Sequence, residues 1–189
     1  MAILSRVFLA VVLLSAPALA QSNPQSESEK IAETRKAAEQ GDAQAQFKLA
    51  FAYKYGQGVQ QDFGEAIKWY LRAAEQGYAA AQRALGWAYE SGQQGVSQDY
   101  TEAAKWFRMA AEQGDASAQE SLASLYQEGK GVQQDDAEAV KWLSKAAEQG
   151  EVRAQISLAD AYYLGKGVSQ NYTEAAKWFR KGIMYMTSP

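Results

Sequence analysis

Apolar residues in this chain recur at helical spacing rather than in the alternation of a strand. Ala45, Leu49 and Tyr53 stand at i, i+4 and i+8, which puts them on one face of a helix. The same triplet returns as Ala81, Leu85, Tyr89, then Ala118, Leu122, Tyr126, then Ala154, Leu158, Tyr162. Between these lies a second apolar face, with Ala66, Trp69 and Ala73 in one copy and Ala103, Trp106 and Ala110 in the next. A polar loop of the type Gly-x-Gly-Val separates the two faces. The pattern predicts alternating A and B helices of about 13 residues, each roughly 20 Å long. Asp62–Glu65, Asp99–Glu102, Asp135–Glu138 and Asn171–Glu174 have the spacing of a capping box at the start of each B helix. Gly77, Gly114 and Gly150 suit the left-handed position that ends it, and Gly58, Gly95, Gly131 and Gly167 suit similar turns in the loops. No proline interrupts residues 25–188.

These helices form a repeat. Ala-Ala-Glu-Gln-Gly ends at Gly41, Gly77, Gly114 and Gly150, a period of 36 or 37 residues. One helix pair cannot cover its own apolar face, whereas stacked pairs can. The expected fold is all-α: a right-handed α/α superhelical solenoid of four helix-turn-helix repeats (about 41–76, 77–113, 114–149 and 150–184) with an N-terminal capping helix. The repeat domain is expected to begin at residue 29. There Glu33 stands in the tryptophan column, as a polar cap requires. At the other end Lys181-Gly182 interrupts the Ala-Ala pattern, which predicts fraying of the last helix. The segment Ile183–Met186 then either covers the last pair or serves self-association.

The spine AEQGDAxAQxxLAxxYxxGxGVxxDxxEAxKWxxxAAEQG, clearest at 39–76 and 112–149, resembles the Sel-one-like repeat, a longer relative of the 34-residue tetratricopeptide unit. The resemblance spans about residues 29–182. It implies a curved scaffold that binds proteins or peptides in the groove lined by the A helices. It also implies export and work in regulation, assembly or contact with host cells. A cysteine-rich branch of that family carries a disulfide in each repeat and is linked to penicillin binding; this chain has no cysteine and so departs from that branch.

The N-terminus adds an address. Arg6, the apolar run Val7–Leu14 and the small-residue pattern Ala18-Leu19-Ala20 read as a signal peptide, residues 1–20. The run is far shorter than the roughly 18 residues a membrane span needs, so no stable membrane insertion is expected after cleavage. The product is expected in the periplasm or the medium. Residues 21–28 are polar and low in complexity, and are expected to form a disordered linker.

Composition then removes chemistries. The chain has no His and no Cys, which excludes Ser-His-Asp and Cys-His catalysis and the common zinc sites. The formal net charge of −3 gives no basic footprint for nucleic acid. Gly-x-Gly here lies between helices rather than after a strand, so it does not suggest phosphate binding. Asp135-Asp136 reads as a helix cap, and the Ser-x-x-Lys, Ser-Asp-Asn and Lys-Thr-Gly set of β-lactam enzymes is missing. Lys68, Lys105, Lys141 and Lys177 lie in register, each within a turn of a glutamate, and read as a solvated, paired face. No catalytic, cofactor-binding or metal-binding residue is expected, and the protein is read as a non-catalytic adaptor. Two alternatives are a secreted factor acting on host cells and a cell-wall or β-lactam hydrolase.

Comparing the repeats with one another locates the candidate site. Fixed columns carry the fold, and varying columns are free to carry specificity. The varying stripe of the A helices holds Phe47, Phe51 and neighbouring Tyr55 in the first repeat, and Arg83 and Trp87 in the second. Glu120 follows in the third repeat, with Arg153, Asp160 and Tyr163 in the fourth. These nine are the expected partner-binding residues, with Phe51 and Trp87 as aromatic anchors. Two plainer roles stay open: Phe47 and Phe51 packing under the capping helix, and Trp87 packing between repeats.

Overall fold

The computed structural model describes residues 24–92 and 95–186; the expected signal peptide lies outside the described residues. Among the described residues there are nine helices and no strand. A first helix, α1 (Pro24–Glu39), precedes four pairs. The A helices are α2 (Ala43–Tyr55), α4 (Ala79–Ser91), α6 (Ala116–Glu128) and α8 (Val152–Leu164). The B helices are α3 (Phe63–Glu75), α5 (Tyr100–Glu112), α7 (Asp136–Glu148) and α9 (Tyr172–Met186). Each helix packs chiefly on its chain neighbours, so the molecule is an α/α solenoid built in sequence order.

The fixed columns form the interior. Leu49, Leu85, Leu122 and Leu158 are at most 1% exposed, and the four tryptophans Trp69, Trp106, Trp142 and Trp178 are all 7–8% exposed. Alanines between them let the helices approach closely. The tyrosine column is only half-buried. Two of its hydroxyls take bonds from arginines, Arg35 Nη2 to Tyr53 at 3.0 Å and Arg108 Nη2 to Tyr126 at 2.6 Å.

A fixed glutamine pair joins the units. The buried side-chain amides of Gln46, Gln82, Gln119 and Gln155 donate to the carbonyls of Ala38, Ala74, Ala111 and Ala147 at 3.0–3.1 Å. Those carbonyls lie near helix C-termini, where the N–H of the closing glycine (Gly41, Gly77, Gly114 or Gly150) bonds to the same oxygen and the glutamine supplies a second donor. In the first three repeats the glutamine oxygen accepts in turn from Gln76, Gln113 or Gln149 at 2.7–2.9 Å. In the fourth, Gln155 Oε1 is buried with no hydrogen-bond partner among the described residues. The Gln76 column has become Tyr185 there.

Four expectations change in detail. First, the structure is already helical at Pro24, so part of the lead-in expected to be disordered belongs to α1. Proline suits the first helical position, where its missing N–H costs nothing. Glu33 is exposed and Ala38 is 1% exposed, as a polar cap with one packed face requires.

Second, the capping boxes are half formed. Asp62, Asp99, Asp135 and Asn171 accept from the backbone N–H of Glu65, Glu102, Glu138 and Glu174 at 2.9–3.1 Å. The glutamates, however, turn outward to Lys68, Lys105, Lys141 and Lys177 at 2.6–3.3 Å. The cap N–H groups bond instead to the carbonyls of Tyr53, Tyr89, Tyr126 and Tyr162 at the ends of the A helices. The box is thus replaced by a tie between the two helices of a pair.

Third, the last helix does not fray at Lys181-Gly182 but runs to Met186. Gly182 occupies the column of Ala73, Ala110 and Ala146. A Cβ there would lie 3.2 Å from Ile156 Cγ1, so the glycine lets α9 press against α8. Finally, the loop glycines do more than turn. Gly131 and Gly167 have φ of 66° and 67°, and a Cβ on either would run into the backbone of Tyr100 or Asp136. Each loop therefore rests on the start of the preceding B helix.

Candidate functional site

The nine varying residues separate by depth. Phe47 turns inward: its ring lies 5.5 Å from that of Tyr70 and 5.3 Å from that of Tyr78, so it joins the first two repeats. Phe51, one turn further along α2, stays 40% exposed, and Tyr55 is 52% exposed with its ring 4.4 Å from that of Phe51. Phe51 borders a depression between α1 and α2 that Ile31, Thr34, Lys48 and Gln57 also line.

Trp87 is the exposed aromatic of the second repeat, at 43%. Its position is fixed on two sides. Its Nε1–H donates to Ser121 Oγ on α6 at 3.3 Å, and the Arg83 guanidinium lies 5.0 Å from the ring centre. Arg83 is in turn paired at 3.3 Å with Asp115, the N-cap of α6. This arrangement holds the indole in place, so that a partner would not have to order it.

In the third and fourth repeats the face is charged and polar until Tyr163 and Leu164 at the end of α8. Glu120 is half-buried on α6, near Arg153, Glu151 and Glu90. Burial raises its carboxyl above the usual range; Glu151 and Glu90 add to the rise, and Arg153 opposes it. Glu90 is raised in the same way, first by burial and then by Glu128, against Lys130. Glu128 is held below its usual range by bonds from Lys130 and Ser124. Arg153 and Asp160 are exposed, and Asp160 borders a second depression with Gln127, Ser157 and Lys166. Tyr163 is 53% exposed, edge-on to Tyr172 at 5.5 Å. Among the described residues no cluster of three acids is placed to hold a metal ion.

The sequence comparison missed the receiving side of these contacts. Tyr78, Asp115 and Glu151 all stand just before an A helix. Each faces a varying residue of the preceding repeat, namely Phe47, Arg83 and Glu120 respectively. The signal was present, since this column also varies, but it lies outside the A-helix stripe.

The profile of the Sel1 repeat matches residues 43–78, 79–115, 116–151 and 152–184. The chain belongs to the Sel1-repeat family. Proteins built from Sel1 repeats typically serve as protein-interaction scaffolds and are generally non-catalytic. Among solved structures, the chain is similar to a protective antigen of uropathogenic Escherichia coli with an SLR fold. Identity is 41%, the TM-score is 0.79, and the match covers 82% of this chain and 33% of that one. It is similar also to a Sel1 repeat protein from Oxalobacter formigenes, at 37% identity and TM-score 0.78, over 86% of this chain and 47% of that one. Cysteine-rich protein B of Helicobacter pylori shares 26% identity with a TM-score of 0.52, over 69% and 92% of the two chains. The chain thus spans a third to a half of the length of the first two. Comparison with curated proteins found no match. No described helix is long and apolar enough to cross a membrane.

Proposed function

We propose that this Sel1-repeat chain is an exported, non-catalytic adaptor that captures a protein or peptide partner on the face of its A helices. One observation carries the reading: Phe51, Tyr55 and Trp87 stay 40–52% exposed on helices whose fixed columns are buried. Large rings left in solvent on such a scaffold are the usual anchors of a binding surface. Export rests on the N-terminal pattern that ends at Ala20.

The test replaces Phe51 and Trp87 together by serine. Partner capture from the exported fraction should be lost, while helicity and melting temperature stay as in the parent. Capture that survives the double substitution sinks the assignment of this face. Fractionation of cells and medium, with the mass of the product read for a start at Gln21, tests export.

A further inference from the structure

The A-helix face changes chemistry along the stack. Its first half presents the rings of Phe51, Tyr55 and Trp87. From Glu90, one turn beyond Trp87 on α4, the face turns to carboxylates: Glu120 and Glu128 on α6, Glu151 before α8 and Asp160 on α8, with Tyr163 and Leu164 exposed only at its far end. The cations facing them are few and partly engaged. Arg83 is paired with Asp115 at 3.3 Å, and Lys130 with Glu128 at 2.5 Å; Arg153 acts on Glu120 through its charge without an ion pair, and Lys166 lines the depression that Asp160 borders. Glu90 and Glu120 therefore sit partly desolvated beside other carboxylates, an arrangement that an incoming cation relieves. Exposed rings next to such carboxylates form a surface complementary to a chain that carries both apolar and basic side chains.

We propose that this face takes a basic polypeptide segment, its apolar side chains seated on Phe51, Tyr55 and Trp87 and its Lys or Arg side chains on Glu90 and Glu120. The proposal rests on the reading of the A-helix face as the partner surface, and adds the partner's chemistry. Its order follows the solenoid: the apolar group lies toward the first repeat, the basic groups toward the third.

The experiment selects phage-displayed random dodecapeptides on the purified protein. The best binders are then synthesised and their affinities measured for the parent, for E90Q/E120Q and for F51S/W87S. The expected result is enrichment of Lys and Arg to one side of an aromatic or aliphatic residue. Affinity should fall roughly tenfold or more in each variant, and should also fall between low and high salt. Glutamine matches glutamate in shape, so E90Q/E120Q should melt no lower than the parent. Binders without Lys or Arg enrichment, or indifferent to E90Q/E120Q, overturn the basic partner. If those binders still need Phe51 and Trp87, the binding face stands and only its chemistry falls. Basic binders that ignore F51S/W87S overturn the aromatic seat. Failure to select any binder overturns the proposal together with the reading beneath it.

Discussion

The first repeat carries Phe51 and Tyr55 on its A-helix face, and behind them Phe47 meets Tyr70 and Tyr78 at 5.5 and 5.3 Å. The third repeat carries Ser124 and Glu128 at the matching places, and behind them Glu120 meets Glu151 and Arg153. The scaffold beneath is the same: Leu49 and Leu122, Trp69 and Trp142, Gln46 and Gln119 are all buried alike. Variation in this solenoid therefore has two layers. The outer layer faces solvent and is free to meet a partner. The inner layer packs on the next repeat: ring to ring at the first junction, cation to anion at the second, and at the third two carboxylates whose repulsion Arg153 offsets.

The largest expected effect tests the shared scaffold. Trp106→Ala, with repeats on both sides, should cost about 3–5 kcal/mol in urea denaturation. Trp178→Ala should cost less, because only one neighbour depends on it. Equal losses would break the picture of repeats that support only their neighbours. The glutamines give the next comparison. Gln82→Leu removes two hydrogen bonds, one to the Ala74 carbonyl and one from the Gln113 amide, and should cost roughly 1–3 kcal/mol even though Ala74 keeps the Gly77 N–H and Gln113 keeps the Met109 carbonyl. Gln155→Leu removes the single hydrogen bond to the Ala147 carbonyl and an oxygen with no partner among the described residues, so its measured loss should be smaller.

The matched layer is tested by transplanting one junction into another. Arg83→Phe alone leaves Asp115 without its ion pair and should destabilise; Asp115→Tyr also removes the α6 cap bond to Ala118 N–H, so the ring pair should show as roughly 1 kcal/mol of favourable coupling between the two substitutions rather than as a net gain. A double-mutant cycle with no coupling would dissolve the distinction between the two layers. The smallest effect concerns charge. A carboxyl raised in the folded state binds its proton more readily there than in the unfolded chain. Its ionisation therefore costs stability as pH rises through the folded value, and that cost is absent well below the unfolded value. Glu120→Gln should accordingly raise the melting temperature at pH 7, by less than about 1 kcal/mol in stability. The gain should vanish near pH 3, and a gain that persists there would assign it to packing.

The period made the architecture legible, since each column could be read four times. The glutamine column was visibly fixed, yet its purpose was not, because its partners lie 8 and about 30 residues away in sequence. The spacing Asp62–Glu65 allows either a reciprocal cap or an outward glutamate; the lysine three residues on and the carbonyl of Tyr53 decide it. Phe47 and Phe51 share one stripe, and only the flanking Tyr70 and Tyr78 turn one ring inward. Gly182 read as a weak point because its close neighbour, Ile156, belongs to another helix.

The inner matching limits how such a chain can lengthen. A copy of the third repeat placed directly after itself would set Glu120 against a second Asp115, with Ser117 where Arg153 now offsets the charge. The fixed columns would accept the newcomer at once, and the junction would resist it. Growth by duplication is then a two-step affair: the copy is added first, and a few substitutions at the new seam follow.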